Sequence, residues 1–292
     1  MSDSQGAYFI PEPSRWPIVG TLALFVSFIG AAVMLNGSGF GTFIFGIGIA
    51  MVIYMFAGWF ADVIGESLKG LYSDQVDVSF RWGMGWFILS EVMFFAAFFG
   101  ALFYARVLSV PWLGGEGAGG IATHEFLWPS FEASWPLDVM PDPANFMVFE
   151  EVIPAFGLPA VNTLLLLSSG VTVTFAHWAL KKDNRSGLCC WLFATVLLGF
   201  TFVACQAYEY YEAYHHMGLT LRSGIYGSTF FMLTGFHGFH VIMGATMLLV
   251  ILIRSMKGHF SEKHHFAFEG VAWYWHFVDV VWLGLFIFVY WL

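Results

Sequence analysis

Charge is scarce in this chain. Only 11% of its 292 residues are Asp, Glu, Lys or Arg, against roughly 25% in soluble domains. Cysteine is nearly absent: Cys189, Cys190 and Cys205 form neither CxxC nor CxxxC, which excludes a disulfide framework and a thiolate metal centre. Basic residues are few and scattered and the net charge is −9, so nothing resembles a nucleic-acid footprint. There is no P-loop, no GxGxxG after a strand, no GxSxG and no cysteine–histidine copper cluster. The opening MSDSQGAYFIPEPSR lacks the basic start and small-residue cleavage site of a signal peptide.

Apolar and aromatic residues fill the space, at 59% and 20%, with a mean hydropathy of +0.73. About 20 consecutive apolar residues cross a bilayer as a helix. Uninterrupted runs of that kind recur, and the ten-residue alternation of a membrane β-barrel does not. The expected architecture is all-α and polytopic, because helices satisfy their own backbone in lipid. The runs predict seven transmembrane helices, near 16–35, 40–61, 82–104, 155–180, 188–207, 225–253 and 270–292. A polar linker is expected over 62–81, and one long extramembrane loop over 106–154. That loop is rich in Gly and Pro and carries Glu116, Glu125, Glu132, Asp138, Asp142, Glu150 and Glu151 against Arg106 alone. The stretch EYYEAYHHMGLTLRSG after the fifth span has the aromatic and polar character of a membrane interface.

Seven spans fix which loops share a side. A cytoplasmic N-terminus puts Arg15, Lys69, Arg81, Lys181, Lys182, Arg185, Arg254, Lys257 and Lys263 inside, and only Arg106 and Arg222 outside. This is the positive-inside bias, and it makes the acidic loop and the C-terminus external.

Polar groups inside the spans carry the chemistry. Glu91 lies about 13.5 Å into its span at 1.5 Å per residue, within FILSEVMFFAAFF. It is either an acid hydrogen-bonded to a neighbouring helix or a group that handles protons or touches lipid. In the last span, Glu269, Trp273, His276 and Asp279 fall on one helical stripe, which requires polar company from elsewhere in the chain or from a partner. His237 and His240 form FHGFH and share a helix face. Haem with two axial ligands takes them from opposite faces of its ring, which one helix face does not offer. Zinc would need further ligands, with His276 and His177 the candidates by depth; the plainer reading is helix–helix hydrogen bonding beside Gly235 and Gly238. His259, His264 and His265 read as solvated loop residues or as surface groups that gather protons. Trp59, Asp62 and Glu66 mark the end of the second span, where Trp anchors at an interface. Arg81 and Arg254 are suited to lipid phosphate.

FEGVAWYWHFVDVVWL resembles the C-terminal signature of the subunit III family of aa3-type cytochrome c oxidases. PSRWP, DVIGES, RWGMGWFILSEVMFF, PAVNTLLLLSSGVTVTFAHW, QAYEYYEA, GIYGSTFFMLTGFHGFHVIMG and HHFAFEG extend the resemblance over most of the chain. The resemblance implies a non-redox core subunit with no catalytic residue and no metal of its own. Haem a, haem a3 and copper would reside in partner subunits of a proton-pumping oxidase. It implies two bundles, helices one and two (1–66) and helices three to seven (67–292), flanking a V-shaped cleft that holds phospholipid. Subunit I would be the direct partner, subunit II a further one, and cytochrome c would reach the complex, docking mainly on subunit II although the acidic outer loop suits its basic charge. The subunit would support proton uptake and active-site durability. Glu91 matches the family's buried acid; Trp59, Glu66 and Arg254 match positions near lipid head groups. His237, Glu269, His276 and Asp279 match signature positions of packing and hydrogen bonding, and His240 stands beside them as a structural polar group. The long 106–154 loop points to a bacterial chain of the plasma membrane. A quinol-oxidising relative is the nearest alternative, although such relatives usually lack the first two helices. A stand-alone membrane cytochrome and a proton carrier acting through Glu91 are the others.

Overall fold

The computed structural model describes residues 12–141, 146 and 148–292. Residues 1–11 of the polar opening, and Asp142 of the acidic loop, lie outside these. Among the described residues there is no β-strand, and seven helices are long and apolar enough to cross a membrane. We number them α1 (Trp16–Leu35), α2 (Gly39–Leu68), α3 (Asp74–Phe103), α4 (Leu158–Lys181), α5 (Arg185–His215), α6 (Gly224–Met256) and α7 (Phe266–Leu285). α3 and α7 each widen into a π-helical turn, Tyr104–Ser109 and Phe286–Trp291, and α3 then continues through Val110–Leu113.

Several helices outrun the apolar runs that announce them. α2 carries Asp62 and Glu66 to Leu68, α3 starts at Asp74 rather than Trp82, and α5 runs on through Glu209 and Glu212. A helix need not stop where lipid stops if its charges find partners. Trp16 Nε1 donates to Asp62 Oδ2 at 2.7 Å, the Tyr72 hydroxyl donates to Glu66 Oε2 at 2.6 Å, and Arg81 Nε donates to Asp77 Oδ2 at 2.9 Å. Burial, then the hydrogen bond and charge of Glu66, push the Tyr72 phenol above the ordinary tyrosine range.

By packing, the chain forms two compact units that divide between Trp82 and Gly83, within α3. In the first, α1 and α2 meet backbone to backbone. A Cβ on Gly30 would lie 2.3 Å from the Phe45 nitrogen, and one on Gly41 would lie 2.2 Å from the Met34 nitrogen. Small residues at such a crossing give the van der Waals contact that replaces the hydrophobic effect in lipid. The outward faces are apolar, with Phe28 72% and Leu35 82% exposed, as lipid-facing side chains should be.

In the second unit, α4 packs on α5 and α7, α5 on α6, and α6 on α7. Trp275 and Trp282 of α7 are fully buried at its centre. Trp275 slots between Gly199 of α5 and Gly244 of α6, where an added Cβ would come within 2.8 and 2.7 Å of the indole. Both indole N–H groups are satisfied by α4: Trp275 by Ser169 Oγ at 2.8 Å and Trp282 by Thr163 Oγ1 at 2.9 Å. Asn184 caps α5 by accepting from Gly187 N at 3.0 Å. Arg185 donates to the carbonyls of Ser255 and Met256 at the C-terminal end of α6, where the helix dipole favours a cation.

The described residues of the 106–154 stretch are folded rather than an open loop. A short helix, Gly117–Phe126, and a separate small core of Val110, Phe131, Leu137 and Met140 give it its own packing. Glu150 N donates to Met217 O at 2.9 Å and ties it to the segment after α5. Its described acids, Glu116, Glu125, Glu132, Asp138, Glu150 and Glu151, are all exposed.

Candidate functional site

The polar groups of the second unit sort into separate constellations, most of them joining residues distant in sequence. The first pairs α3 with α6. Glu91 Oε2 lies 2.9 Å from His240 Nε2. His240 Nδ1 lies 2.7 Å from the Phe236 carbonyl, which only accepts, so Nδ1 carries a hydrogen. Nε2 of a neutral ring then offers a lone pair, and a carboxylate offers lone pairs alone. A 2.9 Å contact therefore requires one proton between them, and the pair as a whole carries no net charge. The surroundings enforce this neutrality: Phe94, Phe95, Phe239 and Tyr274 surround the imidazole at ring-centroid distances of 5.0 to 6.3 Å. An unpaired charge in such a setting is costly.

His237, one turn away, takes a different partner. Its ring is wholly buried between Phe202 and Trp282. Nε2 donates to the Val278 carbonyl at 3.2 Å, and Nδ1 is buried without a hydrogen-bond partner. The two histidines of FHGFH are thus employed separately, one on α7 backbone and one on Glu91.

The expected stripe on α7 divides. His276 and Asp279 stay together, His276 Nδ1 lying 3.6 Å from Asp279 Oδ2. They line a groove between α4 and α7, about 420 Å³ in volume, with Leu167, Gly170, Val171, Phe175 and Leu283. Asp279 is 6% exposed, and its Oδ1 has no hydrogen-bond partner among the described residues. Gly170 makes the room: a Cβ there would lie 2.3 Å from Asp279 Oδ2. Glu269 turns elsewhere. Its Oε1 lies 3.4 Å from His177 Nε2 on α4 and 3.3 Å from Nε2 of His265, which precedes α7.

His265 departs from the solvated-loop expectation. It is 7% exposed, with Nδ1 held 3.0 Å from Ser261 O, whereas His264 is exposed. The burial follows from spacing, since His265 and Glu269 are one turn apart at the start of α7. His259 is held below the ordinary histidine range by burial, then by the charges of Arg254, Lys257 and Arg185. Sequence reasoning also missed Glu209, which is 3% exposed and accepts from the Tyr290 hydroxyl at 2.5 Å. It stood in a stretch whose aromatic and polar content reads as an interface.

Of the residues expected to hold lipid, Trp59 is 47% exposed and stacks on Phe60, and Glu66 accepts from Tyr72 as described. Arg254 is buried, its guanidinium 4.6 Å above the Phe260 ring. Trp59 and Glu66 belong to the first unit and Arg254 to the second.

Comparison with known proteins gives the family. The family model described as cytochrome c oxidase subunit III matches residues 6–292. A protein named cytochrome c oxidase subunit 3 from Squalus acanthias is 41% identical, covering 100% of this chain and 99% of its own. The protein of that name from Drosophila melanogaster is 42% identical over 99% of this chain and 97% of its own. The Equus asinus protein is 39% identical, with 100% and 99% covered. The seven apolar helices and a match over nearly the whole length agree: the chain belongs to the cytochrome c oxidase subunit III family, membrane-spanning subunits of an oxidoreductase complex.

Proposed function

We propose that this chain is a non-redox core subunit of a proton-pumping aa3-type oxidase, completed in the membrane by contact with subunit I. The groove between α4 and α7 carries this reading. Its walls are apolar, yet the Asp279 carboxylate and the exposed His276 ring line it. Hydrocarbon cannot satisfy such groups, so intramembrane acids face protein or water. A polar side chain on a partner helix seated in the groove, meeting the His276–Asp279 pair, does. Haem a, haem a3 and copper belong to the partner subunits in this reading. His237 and His240 support that assignment, because each ring already spends a nitrogen on a protein partner and lies among packed aromatics.

The Glu91–His240 pair, neutral and one proton richer than its parts, suits a role beside proton uptake and in keeping the partner's active site durable. Trp59, Glu66 and Arg254 are proposed to hold phospholipid head groups. Subunit II is a further neighbour, and cytochrome c reaches the complex rather than this chain alone. The positive-inside charge distribution supports a cytoplasmic N-terminus and a periplasmic C-terminus in a bacterial plasma membrane.

The test is recovery of the chain with its complex. Asp279→Asn keeps a hydrogen-bonding amide in the groove and should co-purify with the haem-bearing subunit much as the native chain does. Asp279→Leu should leave the partner's polar group unsatisfied and lower recovery several-fold. Equal recovery of both variants with the native chain would contradict the assignment of the groove. A Soret band on the isolated chain would defeat the non-redox reading.

A further inference from the structure

At the junction of α4 and α7, three electron-pair donors converge: His177 Nε2, His265 Nε2 and Glu269 Oε1. Their separations are 3.4 Å between the two nitrogens, 3.4 Å from His177 to Glu269 and 3.3 Å from His265 to Glu269. This is nearly an equilateral triangle. Good N–H···O hydrogen bonds fall at about 2.7–3.2 Å, so all three contacts are long for hydrogen bonds. They are right for something else. A tetrahedral zinc ion binds imidazole nitrogen and carboxylate oxygen at about 2.0–2.2 Å, which sets neighbouring ligand atoms roughly 3.3–3.5 Å apart. The triangle has the dimensions of one face of that tetrahedron.

Hydrogen accounting points the same way. His265 Nδ1 lies 3.0 Å from the Ser261 carbonyl, so Nδ1 carries the ring's hydrogen and Nε2 presents its lone pair to the carboxylate. An N–H held by a backbone carbonyl is also the usual outer support of a metal-bound histidine, fixing its tautomer and its aim. Burial adds rigidity. His265 is 7% exposed, and the His177 ring packs against Phe268 with centroids 5.3 Å apart. Two neutral imidazoles and one carboxylate would leave a divalent ion with a single net positive charge, and three protein ligands leave a fourth position for water or a neighbour.

We propose that His177, His265 and Glu269 form a binding site for a zinc-like divalent cation that clamps the end of α4 to the start of α7. Nitrogen and oxygen donors in tetrahedral arrangement favour zinc over calcium or magnesium, which take six or more oxygens.

The experiment uses the intact oxidase complex containing this chain. It is equilibrated with micromolar zinc, washed, and its metal content measured per complex, alongside complexes carrying His265→Gln or Glu269→Gln. Other metals in the complex cancel in the difference. The expected result is one zinc fewer in each variant; equal zinc in all three would overturn the proposal. If the variants fail to assemble, a zinc-edge anomalous difference map of the unsubstituted complex decides. A peak about 2.0–2.2 Å from the three ligand atoms is expected. An empty map there at saturating zinc would show a purely hydrogen-bonded triad and overturn the site.

Discussion

At the scale of single residues, the account turns on who satisfies whom in a medium without water. Glu91 and His240 share one proton at 2.9 Å, so the pair should tolerate exchange for another neutral hydrogen-bonding pair. Glu91→Gln offers an amide N–H to the His240 lone pair and should leave the thermal midpoint of the complex nearly unchanged. Glu91→Leu strands His240 Nε2 and should cost about 1–3 kcal/mol. Equal midpoints for the two variants would mean that the contact contributes nothing. A carbodiimide, which adds to protonated carboxyls in apolar surroundings, should label Glu91 in the intact complex if the shared proton rests on the carboxyl; an unlabelled Glu91 would place that proton on His240. Gly170 offers a second handle. Its missing Cβ gives Asp279 its place, so Gly170→Val should push the carboxylate aside. It should destabilise the assembled complex by about 1–3 kcal/mol, as overpacking does. Unchanged assembly would show that the position of Asp279 does not matter.

Between elements, contact of backbones does what the hydrophobic effect does in water. Gly30, Gly41 and Gly48 leave no room for a side chain between α1 and α2. Gly48→Leu should therefore separate the pair and speed amide hydrogen exchange along both helices, while protection in α6 and α7 holds. Unaltered exchange in α1 would refute the close crossing. The short turn after α2 carries a pH term. The Tyr72 phenol is raised when folded, so its contribution is complete below the ordinary tyrosine value near 10. It is lost as pH climbs through the folded value. Tyr72→Phe should thus be less stable than the native chain at neutral pH, with the gap closing in strong alkali; a constant gap would remove the phenol as its cause.

These elements also show what the amino-acid order discloses and what it hides. Span number and type were legible, because long apolar runs admit one answer in lipid. Helix ends were not: Asp62, Glu66, Glu209 and Glu212 read as interruptions, while Trp16, Tyr72 and Tyr290 let the helices carry three of them onward. The one-turn spacing of His265 and Glu269 was on the page. Their convergence with His177, and that of Glu91 with a histidine 149 residues later, comes from packing, which periodicity along one helix cannot show.

For the molecule as a whole, many buried polar groups are paired within the chain, while several atoms, among them Asn162 Oδ1, Glu209 Oε2, His237 Nδ1, Arg254 Nε and Asp279 Oδ1, have no hydrogen-bond partner among the described residues. His237, His240 and the two buried indoles find partners internally. His237 Nδ1 and Asp279 Oδ1 do not, and Asp279 also lines the groove beside the exposed His276. Polar His276 and Asp279 in an otherwise apolar groove are what a subunit, as distinct from a free-standing membrane protein, should show. The most direct measurement is the structure of the purified native complex at a resolution that places side chains. The account predicts a neighbouring subunit's helix in the groove, with a polar group about 2.7–3.2 Å from His276 Nε2 or Asp279 Oδ2. A groove covered only by lipid acyl chains, with His276 and Asp279 meeting no polar group of another subunit, would contradict it.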